Sequence, residues 1–108
     1  MNIIWVLVSS NSRAEAEKIG GVILKERLCA CYSLYKKFGS FYFWPPKANR
    51  VEYSGGPLLV LETLPKNYPK ITKRVRQLHS DKVPFIGKIT VGQVDRNFYD
   101  WLSGELKP

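Results

Sequence analysis

Leu58-Leu59-Val60-Leu61-Glu62-Thr63 opens with four consecutive apolar residues, the pattern of a strand covered on both faces and therefore central in a sheet. Asn49 to Tyr53, just upstream, reads as a first piece of the same returning strand, with Ser54-Gly55-Gly56-Pro57 as a turn or large bulge between the two pieces. Before that, Leu28 to Trp44 mixes Cys, Tyr, Phe and Leu. It reads as one long or bent strand, interrupted at Lys36-Lys37-Phe38-Gly39 and closed by Pro45-Pro46. The apolar run Ile3 to Val8 supplies a first buried strand.

Helical signals alternate with these strands. Ser12-Arg13-Ala14-Glu15 has the form of a capping box, and Ala16, Ile19, Ile23 and Leu24 follow at helical spacing, so a helix is predicted to run to about Arg27. Gly20-Gly21 within it costs helix propensity but permits close approach to a sheet. Pro65 to Leu78 reads as a second helix with Asn67 as its cap, a core stripe of Ile71, Val75 and Leu78, and a basic outer face through Lys70, Lys73, Arg74 and Arg76. Phe85 to Val91 is a fourth strand, and Asp95 caps a last helix carrying Phe98, Trp101, Leu102 and Leu106. Strand, helix, strand, strand, helix, strand, helix is the β-α-β-β-α-β order of an α+β, ferredoxin-like sandwich with an additional C-terminal helix. Right-handed crossovers put both main helices on one face of a four-stranded antiparallel sheet and leave the other face to be covered.

The 108 residues fit one domain, 1–108, large enough to fold on its own core. The apolar N-terminus lacks a basic leader, a cleavage site and the length of a membrane span, and only two cysteines are present. A cytoplasmic location is the expectation. A formal charge of +8 favours anionic partners without choosing among nucleic acid, lipid and phosphorylated metabolites.

Cys29-Ala30-Cys31 is the chain's one compact group of soft donors. In an extended strand both thiols share a face, and a disulfide between them would be strained. Both are therefore expected to be reduced, either as shielded packing residues or as soft-metal ligands. His79 is the only histidine, which excludes a two-histidine metal site within one subunit. Neither a P-loop nor a dinucleotide glycine motif occurs, and Cys31 with His79 is the sole conceivable thiol and imidazole pair. An enzyme is not expected. Tyr42-Phe43-Trp44 near Lys36, Lys37 and Lys47 could stack single-stranded bases, but the glycine-and-aromatic signature of an RNA-recognition domain is missing.

Taken together, Lys25-Glu26-Arg27-Leu28-Cys29-Ala30-Cys31, Tyr42-Phe43-Trp44 followed by Lys47, Leu61-Glu62-Thr63, His79 with Pro84 five residues later, and Tyr99-Asp100-Trp101-Leu102 resemble the CutA divalent-cation tolerance proteins. These are trimers of ferredoxin-like subunits related in architecture to PII-type signal proteins. The resemblance spans nearly the whole chain. It implies a homotrimer, a role in divalent metal ion tolerance or homeostasis with copper or another divalent cation as the metal, and a ligand bound in intersubunit clefts. Trp44, Lys47, His79 and Lys82 are its cleft residues, with His79 and Cys31 as the candidate metal ligands. The aromatic hairpin from Phe38 to Tyr53 becomes the trimer-forming element, which makes nucleic acid the less favoured partner.

Several positions depart from the family pattern. Trp44-Pro45-Pro46-Lys47 replaces Trp-x-Gly-Lys, His79-Ser80-Asp81-Lys82 replaces His-Pro-Tyr with an acid or amide, and Gly56-Pro57 stands where the third strand starts with an acid. Val8 and Leu78 occupy positions that carry ligands in some relatives. With a formal 3 × 8 = +24 per trimer, these departures point away from bare cations and toward anions, with Lys47, Lys82 and His79 as donors. The alternative functions are a PII-like sensor of a small anionic metabolite and a basic single-stranded nucleic-acid binder.

Overall fold

The computed structural model describes residues 1–108. In chain order the elements are β1 (Ile3–Ser9), α1 (Arg13–Lys25), β2 (Cys31–Tyr35), β3 (Ser40–Phe43), β4 (Val51–Ser54), β5 (Leu58–Thr63), α2 (Tyr68–Leu78), β6 (Ile86–Val91) and α3 (Arg96–Glu105). Strands β2, β5, β1 and β6 form, in that order, an antiparallel sheet, which is the expected ferredoxin-like arrangement. The Leu58–Thr63 strand lies inside it, between β2 and β1.

Alternation sorts the sheet's two faces. Ile4, Val6 and Val8 of β1 with Leu59 and Leu61 of β5 face Ile19 and Ile23 of α1 and Ile71 and Val75 of α2, and all of these are fully buried. Removing each such aliphatic side chain from water contributes about 1.5–3 kcal/mol, so this layer carries the fold. Gly20 lets α1 approach the sheet closely: a Cβ there would stand 2.5 Å from Cδ1 of Tyr32. Helix α3 covers one end of the opposite face, burying Leu102 and Leu106 against Ile3 with Trp5 and Val91 beside them.

Three local expectations need correction. Leu28 to Trp44 is not one bent strand: the chain leaves the sheet at Lys36, and β3 pairs with β4 in a separate two-stranded ribbon. Two like charges followed by Phe38-Gly39 interrupt the ladder there. The ribbon projects, giving a molecule of 47 × 25 × 22 Å. Asn67 does not cap α2 with its side chain; it is buried and donates to the Leu28 carbonyl (3.2 Å) and Thr63 Oγ1 (3.1 Å), because a 3-10 turn over Pro65–Asn67 turns it inward. Cys29 and Cys31 do not share a strand face. Cys29 precedes β2 and enters the helix-side core, whereas Cys31 pairs with Glu62 on the other face.

Gly56 shows why glycine stands before Pro57. A Cβ there would lie 2.1 Å from the Ser10 carbonyl oxygen, and the tight approach lets Ser10 Oγ donate to the Pro57 carbonyl at 2.7 Å. Ser12 and Asp95 cap α1 and α3 as predicted.

Candidate functional site

A groove of about 1220 Å³ runs between the ribbon and the loop that follows α2. One wall is Ser40, Tyr42, Phe43, Trp44 and the Pro45-Pro46 corner; the other is Ser80 to Val83 with Phe85; Ser9, Asn11, Tyr35 and Leu58 form its base. Its charged lining is Lys36, Lys37 and Lys82 against a single carboxylate, Asp81. That carboxylate accepts a hydrogen bond from Asn11 Nδ2 at 2.8 Å, while Lys37 Nζ donates to Ser40 Oγ at 2.8 Å. Aromatic walls with an excess of cations accept a planar or extended anion through charge-assisted hydrogen bonds and face contacts.

A polar network fixes the groove's loop. The side chain of His79 has no solvent exposure. Its Nδ1 accepts from the Asp81 amide (3.0 Å), so the proton sits on Nε2, which donates to the Ser9 carbonyl at 2.7 Å. Glu15 Oε1 accepts from the Asn11 amide and Oε2 from the Ser80 amide, each at 2.9 Å. Burial acts to raise the Glu15 carboxyl, but the bonds from Ser80 and Asn11, with His79 nearby, outweigh it and hold the group below the ordinary carboxylate value. Asn11 then links three segments, donating to Ser80 Oγ and Asp81 Oδ1 and accepting from Ser54 Oγ at the ribbon's base.

The two thiols have different surroundings. Burial pushes Cys29 up to about 12, which leaves it protonated and inert. Cys31 is raised by burial and then by its hydrogen bond to the Glu62 carboxylate, and Glu62 Oε2 also accepts from Trp5 Nε1 at 2.9 Å. Both are free. No group of three or more His, Cys, Asp or Glu side chains converges in a form that would hold a metal ion.

Among the residues singled out from sequence, Trp44 and Lys82 both line the groove. Lys47 sits beyond it, exposed at the ribbon tip with φ 62°. His79 lies beneath the groove with both nitrogens engaged, and Cys31 belongs to the sheet. The trio Lys47, Lys82 and His79 is therefore not assembled within one chain. Sequence reading passed over Lys36 and Lys37 as groove residues, and Asn11, Glu15, Ser80 and Asp81 as the network. The capping-box carboxylate of Glu15 was the available signal, since it reaches past Ser12 to serve Asn11 and Ser80.

Comparison with known proteins sets this geometry in context. The family described as CutA1 divalent ion tolerance protein matches residues 4–105. The divalent-cation tolerance protein CutA of Pyrococcus horikoshii is 35% identical over 92 residues, covering 85% of this chain and 86% of that protein. The Thermus thermophilus CutA is 31% identical over 97 residues, covering 90% and 91%. Its solved structure superposes with a TM-score of 0.87 over 99% of this chain and 100% of that one, and Oryza sativa CutA1, at 21% identity, shares the fold with a TM-score of 0.90 over 99% and 95%. With matches of this extent in both sequence and structure, the chain belongs to the CutA1 divalent ion tolerance family.

Proposed function

We propose that this protein acts in divalent-cation tolerance as a cytoplasmic homotrimer that binds a small anionic ligand in the clefts its ribbons help to form. The observation that carries the reading is the groove itself: three lysines, aromatic walls, and one carboxylate already held by Asn11. Such a site repels a bare divalent cation but not the same ion complexed by a carboxylate or phosphate ligand. The trimer is supported by the ribbon, where Phe41, Phe43, Val51 and Tyr53 are each more than half exposed; a two-stranded hairpin with such a surface is marginal alone in water, and both edges of the main sheet are free. A non-enzymatic role is supported by the surroundings of the one imidazole, whose nitrogens are both engaged, and by the inertness of Cys29.

Isothermal titration with citrate, polyphosphate and nucleotides, run beside magnesium and copper, tests the reading. Anions are expected to give saturable heat that the double variant Lys36→Ala, Lys82→Ala removes and Lys47→Ala leaves intact. Tight, stoichiometric copper binding with no heat from any anion would overturn it in favour of direct metal chelation.

A further inference from the structure

Five of the six arginines pair with a carboxylate, whereas no lysine does. The unneutralised charge is not spread evenly. Lys66, Lys70, Lys73 and Arg76 recur at intervals of four, three and three residues, which sets them on one ridge of the turn and helix over Pro65–Leu78, opposite the fully buried Ile71 and Val75. All four are exposed, and no acid occurs between Lys66 and Ser80. Lys88 on β6 is exposed too but stands on a different flank, its Nζ 4.7 Å over the ring of the core-packed Tyr68. Arg74, on the flank, is the one cation there with a partner, Glu26.

Packing does not require this ridge, since α2 is anchored from its other side, and like charges at these spacings weaken a helix. At 1.5 Å per residue the row runs about 15 Å, long enough to follow several phosphates of a duplex that carries one charge per roughly 1.7 Å. None of the large exposed apolar side chains lies on α2. The ridge thus has neither a wedge for a lipid surface nor a platform for unpaired bases. We propose that the outer face of α2, through Lys66, Lys70, Lys73 and Arg76, docks the phosphodiester backbone of double-stranded nucleic acid without reading its sequence. The ridge is on the helical side of the sheet and shares no residue with the groove, so this surface stands independently of the ligand reading.

Fluorescence anisotropy of a labelled duplex of about 20 base pairs, titrated with the protein across a salt series, tests the proposal, because each phosphate neutralised contributes about −0.9 to the slope of log K against log salt. Lys70→Gln with Lys73→Gln is expected to make that slope shallower by about 2 and to weaken binding about 60-fold at 0.1 M salt. Lys47→Gln with Lys107→Gln, exposed and outside both the ridge and the groove, is expected to change the slope by much less, and an unchanged thermal transition confirms that the ridge variant is folded. No binding by the parent protein at low salt, a slope that the ridge variant retains, or binding to phosphatidylserine vesicles but not to the duplex would each overturn it.

Discussion

The sheet layer and the β3–β4 ribbon both pair large side chains across antiparallel strands and end in opposite states. In the layer, Val6 and Leu61 are cross-strand partners with no exposed surface, because two helices lie over them. In the ribbon, Phe41 and Tyr53 are likewise partners, with ring centroids 5.1 Å apart, yet they are 74% and 56% exposed. Strand pairing alone does not bury a side chain; a second layer does. The layer is complete in one chain, whereas the ribbon has no second layer within it, and the groove lies at the seam between them.

Substitutions separate the two regions by size and kind of effect. Leu61→Ala, in the layer, is expected to cost about 2–5 kcal/mol in denaturant unfolding through the cavity it leaves; a loss under 1 kcal/mol would mean that the layer is not the seat of stability. At the seam, Gly56→Ala forces a methyl against the Ser10 carbonyl and is expected to cost about 1–3 kcal/mol. Groove binding should weaken with it, since the Ser10 to Pro57 contact joins the segments that carry Ser9 and Leu58 at the groove.

Glu15 gives the seam a pH dependence with a fixed sign. Its folded-state carboxyl lies below the ordinary value, so its contribution is fully present above the unfolded value, about 4.3, and is lost as pH falls through the lower folded value. Glu15→Gln is expected to lower stability by about 1 kcal/mol at neutral pH and to flatten the acid limb of the stability curve below about pH 4.3. An acid limb identical to the parent's would remove Glu15 from the account. In the ribbon, Phe41→Ser is expected to change the unfolding free energy of the separated subunit by less than about 0.5 kcal/mol, as for other exposed positions, while lowering the assembly mass seen by sedimentation.

Much of the layer was legible in the chain because its signals are local. The apolar runs of Ile3–Val8 and β5, the Ser12 and Asp95 caps and the Ile71 and Val75 stripe each act within a few residues. The misreadings involve partners distant in sequence. Cys29 and Cys31 share a face only if the strand already includes Cys29, and the bend at Ala30 moves its start to Cys31. Asn67 at a helix start reads as a cap until the Leu28 carbonyl, 39 residues away, is placed beside it. Lys36 and Lys37 were visible as charges, but their role at the groove depends on where the ribbon turns, and His79 was visible as a donor while its two partners, Ser9 and Asp81, were not.

The central claim is that other copies of the chain complete the ribbon, and the most direct measurement is the mass in solution by light scattering coupled to gel filtration at micromolar concentration. The account predicts 3 × 12.4 kDa, about 37 kDa, persisting on dilution, with the Phe41→Ser variant shifted toward the single chain. A folded species of 12.4 kDa under the same conditions would contradict it.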